Sequence, residues 1–149
     1  RGISAIVETE MDLHVRMSAR WGLTRTDLAG AVEAHATVAY TRFVLDTGQR
    51  GDLLDLYTAL APCMIGYAEI GASLAEIPGA LGSANPYREW VAEYSGEPFQ
   101  QAAFEARASL DRLARERLTE ARWPELCDIF RQATRLEAEF WDMGITLSQ

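Results

Sequence analysis

Lysine is absent from this sequence: all 14 basic residues among its 149 are arginines. Chemistry that needs a lysine amine is therefore excluded, including a Schiff base, a lysine-anchored pyridoxal phosphate and a phosphate-binding lysine. Basic charge is also scarce overall, because 22 acidic residues leave a net charge of −8. Nucleic acids and anionic membrane surfaces select for a basic footprint, so we expect neither as a partner.

Cysteine and histidine are rare, with two residues of each. Cys63 and Cys127 lie far apart and form neither a CxxC pair nor a disulfide framework, which is typical of reduced thiols in a cytoplasmic protein. Glu10 and His14 have the spacing of a metal-binding pair, but a dimetal carboxylate bundle needs matching Glu and His residues on other helices. The last helix has no His and His35 is expected in a loop. We therefore predict a structural hydrogen bond or a helix-surface pair for Glu10 and His14 and no metal site.

Long hydrophobic runs are missing as well. No apolar run approaches the ~20 residues of a membrane span, and the first residues show no signal-peptide pattern. Hydrophobic residues make up 48% and charged residues 24%, which is typical of a globular chain of one domain. Arg1 is not an initiator Met, and helical spacing begins at Ile3. We expect a single cytoplasmic domain over residues 1–149 that is incomplete at its N-terminus.

Apolar residues recur every three or four positions along most of the chain, which predicts an all-α bundle of antiparallel helices. Asn85 followed by Pro86 is a good helix start, since a capping side chain precedes Pro at the first helical position. The predicted helices span residues 4–19, 38–48, 52–75, 86–94, 97–121 and 123–145, with one further turn at 26–30.

The third helix carries its largest apolar residues on one face, which predicts a buried seam formed by Leu53, Leu56, Leu60, Cys63, Tyr67, Ile70 and Leu74. Cys63 and Tyr67 are one turn apart and point the same way. Ordinary packing explains both, because Cys and Tyr are common in cores. Pro62 has no N–H, so it frees the carbonyl of Thr58 and bends the helix; such a kink beside a cysteine can open a cavity.

The last helix places an acid in the middle of an apolar stripe. Glu137 continues the three-four rhythm of Leu126, Phe130, Ala133, Phe140 and Gly144, whereas Glu139 is expected in solvent. A Glu that faces a core is rare unless it is paired or functional. A desolvated carboxyl can keep its proton near neutral pH, as a general acid requires. A buried Glu satisfied by an Arg or a Tyr hydroxyl is equally compatible with the pattern.

Aromatic residues share faces on two other helices. Tyr40 lies beside Phe43, and Tyr94 shares a face with Tyr87 and Trp90. Aromatic stripes form core more often than ligand sites, but buried Tyr hydroxyls need hydrogen-bond partners. A polar pocket with aromatic walls would provide them.

Five segments, in order along the chain, carry a resemblance to a known family. They are Ala39-Tyr40-Thr41, Ala59-Leu60-Ala61-Pro62-Cys63, Tyr67-Ala68-Glu69-Ile70-Gly71, Tyr87-Arg88-Glu89-Trp90-Val91-Ala92-Glu93-Tyr94 and Glu137-Ala138-Glu139-Phe140-Trp141-Asp142-Met143. Together they resemble the thiaminase II (TenA) family, whose signatures include Y-x-x-W-[IV]-x-x-Y and E-x-x-F-W-x-M. The resemblance implies a heme-oxygenase-like, TenA-type helical bundle and a homotetramer.

The resemblance also implies a function. Members of the family act in thiamin salvage, deaminating 4-amino-5-aminomethyl-2-methylpyrimidine to the hydroxymethylpyrimidine or cleaving thiamin, without a cofactor. Cys63 stands where the thiol-dependent branch has its nucleophile, which adds to a ring carbon next to a ring nitrogen. Glu137 would protonate that nitrogen and assist loss of the amine, and Tyr67 would position the nucleophile or the acid. Tyr40 and Tyr94 would line the pocket for the pyrimidine ring.

The chain departs from the family at its beginning. Family members extend upstream, where the first helices carry an Asp that binds the pyrimidine amino group and an aromatic residue that packs on the ring. We expect this chain to need that segment, or a partner, to be a stable soluble protein. Two alternatives to the hydrolase are a non-catalytic pyrimidine- or thiamin-binding relative and a dimetal oxidase of the same fold.

Overall fold

The computed structural model describes residues 11–147, and every regular element in that range is a helix. The all-α prediction is confirmed. The chain divides into two compact units, residues 1–33 and 34–149. In the first unit, α1 is Met11–Ala19 and α2 is Arg25–Gly30. The second unit contains α3 (His35–Arg50), α4 (Leu53–Ala61), a π-helical segment (Pro62–Gly66), α5 (Tyr67–Ala75), α6 (Arg88–Ser95), α7 (Glu97–Arg117) and α8 (Trp123–Thr146).

In the first unit, local hydrogen bonds define the start of α2. The Thr24 hydroxyl accepts from the backbone N–H of Asp27, whose carboxylate accepts in turn from the N–H of Thr24 at 2.8 Å. The Thr24 hydroxyl also donates to the Asp27 carboxylate at 2.6 Å, and this bond, followed by that from the Thr24 N–H, lowers the pKa of Asp27. The predicted end of the first helix at Ala19 is confirmed. Its start and Glu10 lie outside the described residues, so the pairing of Glu10 with His14 stays a prediction.

Two predicted helix starts in the second unit are wrong. His35 is the first residue of α3 rather than part of a loop, and its N-cap residue, Ala34, makes no side-chain hydrogen bond that the sequence could have signalled. Helix α6 begins at Arg88, two residues after the predicted start. The Asn85 side chain instead closes a turn: it accepts from the N–H of Tyr87 at 3.0 Å and donates to the carbonyl of Ala80 at 2.6 Å.

The predicted disruption at Pro62 takes the form of a π-helical segment. Pro62 lacks the N–H that would bond to the Thr58 carbonyl, so the α-helical ladder cannot continue through it. The chain makes five residues of π-helix and returns to α-helix at Tyr67. Such interruptions are frequent at functional sites, and this one contains Cys63.

The predicted seam of large apolar residues is wrong. Leu53 and Ile70 are 51% and 46% exposed, and the other members are half-buried. The buried positions are small or lie one residue away in register: Leu54, Ala59, Ala61, Ala68 and Gly71. A Cβ on Gly71 would lie only 2.6 Å from the carbonyl carbon of Tyr94, so α5 and α6 approach too closely for a side chain there. The prediction followed the spacing of the large apolar residues, whereas the close contact between α5 and α6 requires small residues on the buried face.

A leucine core and an ion cluster join α4 to α7 and α8. Leu54, Leu113 and Leu126 are buried together. Asp52 caps α4 by accepting from the N–H of Leu54 at 2.8 Å, and Arg122, at the start of α8, donates to Asp52 at 3.0 Å and to buried Asp55 at 2.8 Å. The hydrogen bond from Arg122 and those of the cap lower the pKa of Asp52 from 3.8 to about 2. Residues 52, 55 and 122 are called the ion cluster below.

The stretch Leu53–Ala75 is long and apolar enough to cross a membrane, judged by length and composition alone. It spans α4, the π-helical segment and α5, and it packs against α3, α7 and α8. It also contains the buried carboxylate of Asp55. These contacts make it the central helix of the second unit.

Candidate active site

Four predicted site residues come together from four different elements. Tyr40 comes from α3, Cys63 from the π-helical segment, Tyr67 from α5 and Glu137 from α8. The Tyr67 hydroxyl donates a hydrogen bond to Oε1 of Glu137. The Tyr40 hydroxyl lies close enough to Cys63 and Glu137 for both to raise its pKa. The fold therefore assembles these side chains, called the thiol cluster below, from positions up to 97 residues apart in the sequence.

Glu137 is buried, at 9% exposure, and only half of its carboxylate is satisfied. Oε1 accepts from Tyr67, so the tyrosine hydroxyl that the sequence left open as a partner is present. Oε2 is also buried, and no hydrogen bond reaches it within the described part of the chain. A buried unpaired carboxylate oxygen is costly. The cost is offset where Oε2 carries a proton or accepts a hydrogen bond from a ligand.

The Tyr40 hydroxyl is a second buried polar atom that has no hydrogen bond of ordinary length to residues 11–147, although Cys63 and Glu137 lie close to it. Burial, followed by the nearby Cys63 and Glu137, raises the pKa of Tyr40 far above its ordinary value. The phenol therefore keeps its proton and can donate a hydrogen bond to a ligand. Two incomplete polar atoms in one cluster indicate a place where a polar ligand binds.

Tyr67 connects Glu137 to a group of aromatic rings, called the aromatic wall below, that consists of Tyr67, Trp90, Tyr94 and Trp141. Burial first, and then its hydrogen bond to Glu137, raise the pKa of Tyr67, so this phenol also remains protonated. Its oxygen accepts from Nε1 of Trp141 at 3.1 Å. The sequence pattern does not single out Trp141 as a site residue, although it lies four residues after Glu137 and hence on the same helix face.

Tyr94 forms part of the same wall. It is 3% exposed, and its ring centroid lies 5.4 Å from that of Tyr67 and 4.4 Å from that of Trp90. Gln100 donates to its carbonyl at 2.8 Å and to the carbonyl of Ala68 at 2.8 Å, which ties α6 to α5. The structure thus places Tyr94 beside Tyr67; its contact with a pyrimidine ring stays a prediction.

Other surfaces of the second unit have a different character. An open groove of about 630 Å³ between α4, α7 and α8 is lined mainly by apolar side chains and includes Cys127. A second groove, of about 660 Å³, follows α8 near Phe43 and Gln132. Neither includes Cys63. Within residues 11–147, no three His, Cys, Asp or Glu side chains come together so as to hold a metal ion.

Comparison with known proteins identifies relatives that match most of this chain. An aminopyrimidine aminohydrolase of Halalkalibacterium halodurans is 40% identical over 143 residues, which cover 95% of this chain and 62% of the relative. An uncharacterized protein of Haemophilus influenzae is 37% identical over 93% of this chain and 64% of its own length. The crystal structure of a protein described as a TenA family transcription regulator, from a Silicibacter species, superposes with a TM-score of 0.88 at 39% identity.

That structure matches 97% of this chain and 65% of the other, so the TenA-type architecture implied by the five segments is confirmed. The chain spans a little under two thirds of the length of each of these proteins. The family match itself covers residues 1–147. With the five sequence segments, the helical architecture and this match in agreement, the chain belongs to the TENA/THI-4/PQQC family.

Proposed function

We propose that this chain carries the catalytic residues of a thiol-dependent aminopyrimidine hydrolase of thiamin salvage. The observation that carries the proposal is the buried carboxyl of Glu137, which presents an unsatisfied Oε2 in the same cluster as the Tyr40 hydroxyl and the Cys63 thiol. The name of the Halalkalibacterium relative, aminopyrimidine aminohydrolase, supports the substrate class.

The proposed reaction begins with the thiolate of Cys63. It forms a C–S bond to the ring carbon next to a ring nitrogen, and the proton on Oε2 of Glu137 passes to that nitrogen. Loss of aromaticity allows the amine on the exocyclic methylene to leave as ammonia, which leaves that carbon doubly bonded to the ring. Water adds to this carbon, and the C–S bond breaks as the ring becomes aromatic again. The third hydrogen of ammonia is the proton that the substrate amine carries as an ammonium group at neutral pH. Water supplies the product hydroxyl and releases its other proton, and the ring nitrogen returns its proton to Glu137 as the C–S bond breaks.

The tyrosines bind and position in this proposal. Tyr40 offers a protonated, buried hydroxyl to a polar atom of the pyrimidine. Tyr67 occupies Oε1 of Glu137 and so leaves Oε2 to face the ring. Tyr94, whose ring centroid lies 5.4 Å from that of Tyr67, lines the pocket for the pyrimidine ring. Deamination of the aminomethylpyrimidine is the expected main reaction, with thiamin cleavage as a second reaction at the same site.

The experiment is an assay of ammonia release from 4-amino-5-aminomethyl-2-methylpyrimidine by the full-length protein, with Cys63→Ser beside it. Release that disappears in the variant supports thiol-dependent hydrolysis. Cys127→Ser is the matched control, because Cys127 lines the separate apolar groove and should not affect turnover.

The same assay separates the competing hypothesis of a non-catalytic binding protein; the Silicibacter relative is described as a transcription regulator. A non-catalytic relative would bind the pyrimidine with and without Cys63 and release no ammonia in either case. Binding without turnover by the wild-type protein would therefore contradict the proposed hydrolase. We also propose a cytoplasmic homotetramer, which light scattering on the full-length protein tests.

A further inference from the structure

The hydrogen bonds among Trp141, Tyr67 and Glu137 run from the indole N–H toward the carboxyl group. An indole N–H can donate but cannot accept, so the Tyr67 oxygen is the acceptor of the 3.1 Å bond from Trp141. Tyr67 in turn uses its single hydroxyl hydrogen to donate a hydrogen bond to Oε1 of Glu137. Trp141 therefore sits at the donor end of a chain that ends on the carboxyl group.

This direction determines which carboxyl oxygen can hold a proton. Oε1 already accepts a hydrogen bond from Tyr67, so Oε2 is the oxygen on which a proton belonging to Glu137 is placed. Oε2 is the buried oxygen that no hydrogen bond reaches within the described residues. Among the described residues, Tyr40 from α3 and Tyr67 from α5 face this carboxyl, and Cys63 from the π-helical segment lies near both tyrosines.

We propose that Trp141 is a positioning residue for the acid: by donating to Tyr67, it keeps Tyr67 as the donor to Oε1 and directs the proton of Glu137 to Oε2. The inference rests on the proposed function, because it concerns the acid of that reaction. Trp141 acts through Tyr67 and needs no contact with the substrate.

Packing is the competing explanation for Trp141. Its ring centroid lies 5.9 Å from those of Tyr67 and Trp90 and 6.3 Å from that of Phe140. Trp141→Phe keeps an aromatic ring there and removes the N–H. Trp90→Phe is the matched control, since Trp90 belongs to the same aromatic wall but donates no hydrogen bond to Tyr67 among the described residues.

The experiment measures kcat, KM and the pH dependence of kcat for ammonia release by the full-length protein. We expect Trp141→Phe to lower kcat about 5- to 10-fold, the value of one hydrogen bond, with KM nearly unchanged. The high-pH limb of the profile, on which activity falls, should move to higher pH. Without the hydrogen bond from Trp141, the Tyr67 hydroxyl donates a weaker hydrogen bond to the carboxylate of Glu137. Trp90→Phe should leave this limb in place.

A double mutant separates positioning from packing. In the Tyr67→Phe background, adding Trp141→Phe should change kcat by less than about twofold, because the residue through which Trp141 acts is gone. Equal losses in both backgrounds, with an unmoved pH limb, would overturn the inference while the proposed function stands. Absence of ammonia release by the wild-type protein would overturn the proposed function and this inference with it.

An NMR measurement keeps the inference testable if Trp141→Phe does not fold. In Tyr67→Phe, the indole N–H resonance of Trp141 should shift, because its acceptor is removed, and that of Trp123, which lines the apolar groove, should stay in place. An unmoved Trp141 resonance would contradict the hydrogen-bond chain on which the inference depends.

Discussion

The ion cluster and the thiol cluster both join the central helix to α8, but they treat buried charge in opposite ways. In the ion cluster, buried Asp55 receives two hydrogen bonds from Arg122, at 2.8 and 2.9 Å, and Asp52 is held by Arg122 and by the backbone of α4. In the thiol cluster, Oε2 of Glu137 and the hydroxyl of Tyr40 are buried with no hydrogen bond from the described residues.

This difference distinguishes a group that holds the fold from a group kept for a ligand. A satisfied buried charge contributes to the folded state, and removing its partner leaves an uncompensated charge. An unsatisfied buried group already destabilises the ligand-free protein, so its removal should affect chemistry more than stability. Substitutions in the ion cluster should therefore lower stability and leave kcat unchanged, whereas substitutions in the thiol cluster should lower activity and leave stability unchanged.

The largest expected effect is on catalysis. Glu137→Gln keeps an acceptor for Tyr67 but has no proton to give, so kcat should fall about 10²- to 10⁴-fold. The melting temperature should stay the same or rise, because a buried carboxylate oxygen is removed. Glu139→Gln, an exposed neighbour on α8, is the control. A variant that unfolds while keeping its kcat would reverse the comparison.

The next effect is on stability. Arg122→Met keeps the aliphatic part of the side chain and removes the partner of Asp52 and Asp55, which should lower the free energy of unfolding by about 3 kcal/mol in urea denaturation. The kcat of the folded fraction should remain close to that of the wild type. Arg131→Met removes an exposed ion pair with Asp128 on the same helix and should change stability by less than about 1 kcal/mol. Equal losses for both variants would refute the role of the ion cluster.

Tyr40→Phe should affect ligand affinity rather than folding. The hydroxyl has no partner among the described residues without a ligand, so its loss should change the free energy of unfolding by less than about 1 kcal/mol. A hydrogen bond to the pyrimidine would be lost, and KM should rise about tenfold. Tyr57→Phe, which alters a tyrosine packed on the leucine core, should leave KM unchanged. A Tyr40 variant that melts early with a normal KM would show that the hydroxyl is structural.

The smallest effect is on stability in acid. The pKa of Asp52 is lowered from 3.8 to about 2 by Arg122 and the helix cap. Because the folded-state pKa lies below the unfolded one, the stabilisation is complete above about pH 4 and is lost as the pH falls toward about 2. Urea midpoints across this range should fall more steeply for the wild type than for Arg122→Met. Parallel curves would mean that the ion pair contributes nothing measurable.

Much of the fold could be predicted because helix periods and breakers are local signals. The starts of α7 and α8 follow from Pro98 and Pro124 near their first positions. The start of α3 at His35 could not be predicted, because no capping side chain marks it. The buried face of the central helix was missed because it depends on how closely α5 and α6 approach at Gly71.

The candidate site was predictable in its members but not in its bonding. Glu137 interrupts an apolar stripe, and Cys63 and Tyr67 lie in segments that resemble a known family, so each could be named in advance. Which oxygen of Glu137 has a partner depends on helices 70 residues apart in sequence meeting at one point. The contribution of Trp141 was missed for the same reason, since its value lies in where one N–H points.

The π-helical segment has a consequence for chain length. A π-helical turn accommodates one residue more than an α-helical turn, while the helices on either side keep their phase. Removing one residue between 62 and 66 would therefore keep the two flanking helices in phase, with Pro62 as the remaining gap in the hydrogen-bond ladder, yet it would displace the thiol within the turn. At this turn, an insertion or deletion of a single residue would move the Cys63 thiol away from its site and abolish catalysis, while the packing of the surrounding helices remained the same.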